Sequence, residues 1–287
     1  MILPVGAVGA DGTNIGPAPT LPPAAGMKLG IVPYLSVRSM MELFNPLREE
    51  LQQRLGVPVT IVTETDYGSF IAHTALGGYD LVLTGSHMAR LAQLESGYVP
   101  VFRTVRELSA TILVDRDGPV KSLADLRGRT MAMPDPLAQV SIMARAWLRS
   151  RDIIIGRDLS LVSFKTHNNA AMAVLNQGAD SGAVSSWALQ QMPADLRDRL
   201  RILATTEELS GTVPGHAPAI IFLANGALGQ PQIETIKTIV MHFINETEAG
   251  RASLGVMDRD GVMAISDETL RSLDAFIPDL KASLAEK

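Results

Sequence analysis

The chain has 287 residues, 46% of them hydrophobic and 19% charged, so it contains enough apolar material for a sizeable buried core. Its formal net charge is −5 without any basic cluster, which argues against nucleic acid as a partner. The absence of cysteine excludes disulfides, thiol catalysis and cysteine metal sites, and it leaves the compartment open.

Residues 1–26 are rich in Gly, Pro and Ala, and Asp11 is their single charged residue. They lack the basic start and the compact apolar run of a secretory signal. We expect residues 1–27 to be a flexible leader, with ordered structure beginning near Lys28. No apolar run reaches the roughly 18 residues that a membrane-spanning helix needs, so we expect a protein that does not span a membrane.

From Lys28 onwards the chain alternates between strand and helix patterns. The strand patterns cover 29–32 and 57–62, and the helix patterns cover 40–55 and 67–76. Inside the first helix, Asn45-Pro46 predicts a restart, because proline is tolerated in the first turn of a helix.

Residues 80–83 form a short apolar run that predicts a buried strand, and Thr84-Gly85-Ser86 then leads into a third helical pattern. The first N–H groups of a helix have no partner within it and carry partial positive charge, so this turn suits an anion. The alternative is that Ser86 is only an N-cap, the usual role of serine at a helix start. The residues leave both interpretations open.

Two extended segments, 99–105 and 109–114, are expected to leave the first lobe, and a second set of units follows them. This second set comprises a short capped helix at 122–128, strands at 130–133 and 159–164, helices over 140–148 and 170–176, and a strand-to-helix turn at 182–186.

Strands at 201–205 and 219–224 are expected to return to the first lobe, and amphipathic helices complete the chain. Alternating strands and helices imply right-handed crossovers and mainly parallel sheets. We therefore predict an α/β fold with two lobes, each a mainly parallel sheet flanked by helices, with a cleft between them. Residues 28–108 with 207–287 are predicted to form lobe 1, and residues 109–206 lobe 2.

Several short motifs then occur in an order typical of one family. They are Asp66-Tyr67, Tyr79-Asp80-Leu81 running to Thr84-Gly85, Asp135-Pro136, Thr166-His167-Asn168-Asn169, Gly178-Ala179-Asp180 and Val213-Pro214-Gly215. Over about residues 28–228 the chain resembles the phosphate-, phosphite- and phosphonate-binding periplasmic proteins of ABC importers, which have the type II periplasmic-binding-protein fold. The resemblance implies a periplasmic location and a small oxyanion ligand held in the cleft and delivered to an ABC permease.

By position, the resemblance implies ligand contacts from Tyr67, from Thr84 with its two neighbours and from His167. Where the family often places an acidic residue on the return crossing, this chain has His216 or Ala217. His87 is a further candidate that we leave out of the predicted site. The predicted ligand-binding residues are Tyr34, Tyr67, Thr84, Gly85, Ser86, Gln139, Val140, Ser141, His167, Ser185 and His216.

The chain departs from the family pattern where phosphonate binders carry a run of Ser and Thr, because Ala138, Gln139 and Val140 stand there instead. Backbone N–H groups remain at that helix start, and Gln139 and Ser141 are candidates to replace part of the lost donor set. A smaller, less charged or more apolar ligand is therefore an open alternative, and the sequence does not rank the oxyanions.

Other functions are compatible with the same fold. A receptor of this architecture could present its ligand to the ectodomain of a sensor kinase instead of a permease. The opening Leu29-Gly30-Ile31-Val32-Pro33-Tyr34-Leu35 also resembles that of chorismate dehydratase-like enzymes. Because no paired carboxylates, nucleophile with base, metal-ligand spacing or nucleotide loop is visible, we predict a binding protein without catalytic residues, metal or cofactor. We also expect it to be a monomer.

Overall fold

The computed structural model describes residues 26–208, 214–253 and 260–286. Most of the predicted leader, residues 1–25, lies outside the described residues, as does Val213 of the family motifs. The first strand begins at Met27, one residue before the predicted start of the ordered part.

The elements of the first part of the chain are β1 (Met27–Ile31), α1 (Val37–Leu55), β2 (Val59–Val62), α2 (Tyr67–Ala75), β3 (Leu81–Thr84), α3 (Ser86–Ser96) and β4 (Tyr98–Thr104). The middle of the chain contains β5 (Glu107–Leu108), β6 (Ala110–Asp115), β7 (Arg129–Met133), α4 (Gln139–Arg149), β8 (Leu159–Ser163), α5 (His167–Leu175), β9 (Ser181–Ser185), α6 (Ser186–Gln191), α7 (Ala194–Arg199) and β10 (Leu200–Thr205).

The last part contains β11 (Ala217–Pro218), β12 (Ile221–Asn225), α8 (Gln230–Glu246), α9 (Glu248–Ser253), β13 (Val262–Met263), α10 (Asp267–Ser272) and α11 (Ile277–Ala285). The helix predicted at 122–128 is a short 3₁₀ turn over Ala124–Leu126, held by the Asp125 carboxylate, which accepts from the N–H groups of Lys121 and Ser122.

Two sheets organise these elements. The first has the strand order β13-β4-β12-β3-β1-β2 and the second β10-β6-β9-β7-β8. In each sheet three neighbouring strands are parallel, β2-β1-β3 and β8-β7-β9. The strands beyond β3 and β9 run antiparallel, so the sheets are more mixed than we expected. The predicted α/β architecture of two sheets flanked by helices is present.

Two crossings connect the sheets. The chain leaves the first sheet through β5 and returns through β11, and these short strands pair antiparallel, with Leu108 opposite Ala217 and Glu107 opposite Pro218. Two of the segments expected to lead from one lobe to the other, 99–105 and 201–205, pair within the sheet of the part of the chain to which their residue numbers were assigned. Residues 98–104 pair with β12 in the first sheet, and residues 200–205 pair with β6 in the second, because each forms its ladder before the chain crosses.

Helix α1 shows how the apolar pattern overrides a local signal. Its side chains Met40, Phe44, Leu47 and Leu51 recur at helical spacing and are all buried. The predicted restart at Pro46 is wrong, since one continuous helix runs through it. Burial of the same apolar face before and after Pro46 holds the helix together, although proline removes one backbone hydrogen bond and crowds the preceding turn.

The C-terminal segment, residues 273–286, contacts both α3 and α4. Arg90 of α3 pairs with Asp274, while Arg149 and Arg145 of α4 pair with Asp279 and Glu286. Leu273, Phe276 and Leu280 of this segment are fully buried beside these helices in a shared apolar cluster. The segment therefore fixes the two helices whose first residues meet at the cavity described next.

Candidate functional site

A cavity of about 120 Å³ lies where several helices of both sheets begin. It is lined by Val32, Tyr34, Tyr67, Gly85, His87, Met88, Leu108, Ala138, Gln139, Val140, His167, Ala219 and Ile220. These residues follow the carboxyl ends of β1, β2, β3, β7 and β8 or lie beside the crossings, which is where open α/β sheets bind ligands. Among the described residues, no Lys, Arg, Asp or Glu lines this cavity.

A larger hollow of about 420 Å³ exists elsewhere, between residues 114–120 and 174–180. It adjoins the amino ends of β7 and β9, at Thr130 and Asp180, where Asp180 is paired with Arg129. Because ligands of such sheets bind at the opposite, carboxyl end, we place the functional site at the smaller cavity.

Helix α3 begins at this cavity without a side-chain cap. Its N-cap is Gly85, and the N–H of Ser86 donates to the Oε1 atom of Gln139 at 3.1 Å. The Ser86 hydroxyl is buried and has no hydrogen-bond partner in the part of the chain that the structure describes. The alternative that Ser86 is only an N-cap is therefore wrong.

Gln139 connects the beginnings of α3 and α4 with the return crossing. It is the first residue of α4, whose N-cap, Ala138, also has no capping side chain. Besides accepting from Ser86, its amide donates through Nε2 to the carbonyl oxygen of Pro218 at 2.9 Å. With the amide flipped, Nε2 would face the N–H of Ser86 and Oε1 would face the carbonyl oxygen of Pro218. Both contacts would be repulsive, so the two hydrogen bonds assign the orientation of the Gln139 amide.

His87 is a neutral, buried imidazole in this cluster. Its Nε2 atom donates to the carbonyl oxygen of Leu137 at 2.9 Å. Burial lowers its pKa to about 4, and the Leu137 carbonyl and the Gln139 side chain, which would favour the charged ring, offset this only in part. Its Nδ1 atom is consequently a hydrogen-bond acceptor, and it is buried without a partner within the described ranges.

His167 occupies the first position of α5, after the N-cap Thr166, whose hydroxyl accepts from the N–H of Asn169 at 3.1 Å. The N–H of Ser185 donates to His167 Nδ1 at 3.4 Å, so the ring proton resides on Nε2 and is available for donation. Burial lowers the pKa of His167 to about 4, so it is a neutral donor at neutral pH.

Tyr67 occupies the matching first position of α2, after the N-cap Asp66. Burial, together with the negative charge of Asp135, raises its pKa to about 12. Its hydroxyl therefore stays protonated at the cavity wall. Tyr34 lies on the same wall, after the end of β1.

The structure thus brings six of the predicted residues to the cavity, namely Tyr34, Tyr67, Gly85, Gln139, Val140 and His167. The others are not among its described lining residues. The hydroxyl of Thr84 contacts the sulfur of Met88, that of Ser141 donates to the carbonyl of Pro134, that of Ser185 caps α6, and His216 pairs with Glu107. Their ligand-binding roles stay predictions.

Sequence reasoning left most of the apolar wall out of the site. This wall includes Val32, Met88, Leu108, Ala138, Ala219 and Ile220. Val32 and Met88 fit the patterns of a core strand and a core helix, so nothing local distinguished them. His87 could have been included, since it follows the uncapped turn directly, but its position in the cavity depends on the contact with Leu137.

No helix in the described ranges combines the length and apolarity needed to cross a membrane. Nor do three or more His, Asp or Glu side chains come together as a metal site among the same residues.

Two helix-flanked sheets joined by two crossings, with a cavity between helix starts, define the two-lobe fold of periplasmic binding proteins. The profile of the family "ABC transporter, phosphonate, periplasmic substrate-binding protein" matches residues 29–270. The chain belongs to this family of substrate-binding proteins.

Solved structures share its fold at low sequence identity. XAC2383 of Xanthomonas citri, solved with chloride, is 17% identical with a TM-score of 0.77, and the match covers 91% of this chain and 99% of that one. PhnD1 of Prochlorococcus marinus, in complex with methylphosphonate, is 14% identical with a TM-score of 0.71, covering 89% and 98%. The aliphatic sulphonate binding protein SsuA of Escherichia coli is 17% identical with a TM-score of 0.58, covering 92% and 84%.

Proposed function

We propose that this protein captures a small organic oxyanion of the phosphonate type in the cavity and delivers it to an ABC permease. One observation carries the proposal: α3 and α4, from opposite sheets, both begin at the same cavity without a capping side chain. Helix N-termini present N–H donors and partial positive charge, so two of them at one point favour a bound anion.

Neutral donors around the cavity support the same ligand class. The neutral ring of His167 keeps its proton on Nε2 because Nδ1 accepts from the N–H of Ser185, and Tyr67, whose pKa is raised to about 12, keeps its hydroxyl proton near neutral pH. None of the described residues that line the cavity is cationic, so the ligand charge would be stabilised by dipoles and hydrogen bonds.

The apolar wall and the size of the cavity indicate a small organic substituent on the oxyanion. Val32, Met88, Leu108, Val140 and Ile220 would contact it. A volume of about 120 Å³ is well below the several hundred Å³ of a typical drug-sized site, so only a small molecule would be enclosed. PhnD1 with methylphosphonate and the sulphonate binder SsuA have the same fold, which supports small organic oxyanions as candidates.

For the mechanism, we propose that residues 28–108 with 207–287 close on residues 109–206 about the paired crossings. A ligand that contacts the starts of both α3 and α4 would stabilise the closed arrangement over the open one. Family membership supports a periplasmic location and a permease as the partner. Co-purification with the permease, compared with a sensor-kinase ectodomain, tests this part of the proposal.

A thermal-shift screen against phosphonates, phosphite, phosphate, sulfonates and small carboxylic acids tests the ligand class. We expect His167→Ala to weaken binding of the best ligand by more than about tenfold in calorimetry, because a half-buried donor to a charged group is lost. His242→Ala, on the exposed side of α8, is the matched control and should keep wild-type affinity. Stabilisation by none of the oxyanions, or unchanged affinity in His167→Ala, would contradict the proposal.

A further inference from the structure

The start of α3 contains two buried polar atoms that find no hydrogen-bond partner among the described residues. They are the hydroxyl of Ser86 and the Nδ1 atom of His87, on side chains that are 0% and 1% exposed. Buried polar groups are nearly always hydrogen-bonded in native structures, so two adjacent exceptions indicate a place where another molecule supplies the partner.

The side chain of Gln139 covers this place. Its Oε1 atom accepts from the N–H of Ser86, which is the hydrogen bond that an anion at this helix start would make. A methyl group built on Gly85 would lie 2.9 Å from Gln139 Oε1 and 3.2 Å from His87 Nδ1. The amide oxygen and the unpaired imidazole nitrogen therefore converge on one small space above Gly85.

We propose that the amide oxygen of Gln139 stands in for a ligand oxygen at the start of α3 and is displaced when the ligand binds. This inference rests on the proposed function and deepens it. It gives Gln139 a role opposite to the donor role expected from the sequence, because the side chain competes with the ligand and limits its affinity.

The space that Gln139 vacates also selects the head group. It offers one fixed donor, the N–H of Ser86, one fixed acceptor, the Nδ1 of His87, and the Ser86 hydroxyl, which serves as either. A singly protonated phosphonate or phosphite has both a P–O⁻ acceptor and a P–OH donor, so it satisfies all three. A sulfonate brings acceptors only and leaves His87 Nδ1 unpaired, which disfavours it.

Calorimetry with a matched ligand pair, methylphosphonate and methanesulfonate, tests both parts on the full chain. Gln139→Ser removes the competing amide, and Gln53→Ser, on the exposed side of α1, is the control. We expect methylphosphonate to bind Gln139→Ser about tenfold more tightly than the wild type or the control. We also expect methylphosphonate to bind at least about tenfold more tightly than methanesulfonate in all three proteins.

Weaker or unchanged methylphosphonate binding in Gln139→Ser would show that the amide is a ligand donor or a spectator, and it would overturn the inference while leaving the proposed function standing. Equal binding of the two ligands would overturn the head-group assignment. Failure of every protein to bind either ligand, or any other oxyanion, would refute the proposed function as well. In ¹⁵N spectra of the imidazole groups, the Nδ1 signal of His87 should shift on addition of methylphosphonate, and an unmoved signal would count against the contact.

Discussion

The two sheets have the same strand order over most of their width, yet equivalent helices differ in whether a side chain caps their first turn at the cavity. Strands β2-β1-β3-β12 of the first sheet correspond to β8-β7-β9-β6 of the second. In each unit, the helix after the outer parallel strand caps itself, through Asp66 in α2 and Thr166 in α5, and its first residue lines the cavity.

The other two helices at the cavity, α3 and α4, have Gly85 and Ala138 as their N-cap residues, and neither residue has a side chain that could cap the helix. These two helices do not occupy equivalent positions in the two sheets. Helix α3 follows β3, the third parallel strand of the first sheet in chain order, whereas α4 follows β7, the first parallel strand of the second sheet. Their counterparts α6 and α1 cap themselves through Ser185 and Ser36. Self-capped starts thus supply rigid side chains, Tyr67 and His167, and uncapped starts leave backbone donors for a ligand or for Gln139.

The largest test of this comparison converts an uncapped start into a capped one. Ala138→Asp would cap α4 with a carboxylate at the cavity wall, and repulsion should weaken oxyanion binding by more than about a hundredfold. Calorimetry with the best ligand of the panel measures the effect. Ala138→Asn caps without adding charge and should lose clearly less affinity, so equal losses in the two variants would mean that charge is irrelevant here.

A second test uses the neutral histidine at the uncapped start. The pKa of His87 is about 4 in the folded protein, against an ordinary value of 6.5, so the unfolded chain takes up the proton first as pH falls. The contribution of His87 to the free energy of unfolding is fully present above pH 6.5 and is lost as the pH falls towards 4. Between pH 7 and pH 5 the loss is about 2 kcal/mol. Urea denaturation at the two pH values measures the summed loss from His87 and His167, whose pKa values are both lowered to about 4. An NMR titration isolates His87, and a midpoint near 6.5 would refute its share.

The smallest effects come from truncating a hydroxyl at each kind of start. Thr166→Ala removes a cap and should lower the free energy of unfolding by about 1 kcal/mol. Ser86→Ala removes a buried hydroxyl without a partner, so it should change stability by less than about 0.5 kcal/mol or raise it. Urea denaturation of both variants gives the contrast, and a larger loss in Ser86→Ala would mean that its hydroxyl has a partner in solution.

Much of this arrangement was predictable because it depends on local sequence. Apolar runs fixed the strands β1, β2, β3, β7 and β8, and helical spacing fixed the helices between them to within a few residues. The order of short motifs was sufficient for the family. Tyr67 opened the helix predicted over 67–76, whereas His167 lay before the helix predicted over 170–176 and entered the site through the family resemblance.

The tertiary structure decided what happens between segments that are distant in the chain. The bond from Ser86 to Gln139 joins residues 53 positions apart, and that from Gln139 to Pro218 spans 79 positions. Apolar residues that repeat at helical spacing reveal the buried face of a helix, but a single glutamine belongs to no such repeat. Its hydrogen-bond partners therefore cannot be derived from its neighbours in sequence. The same holds for the low pKa of His87, which depends on complete desolvation by several elements at once. Periodic burial and capping are local properties that a sequence determines by itself, whereas burial of a polar group against a remote segment exists only in the folded chain.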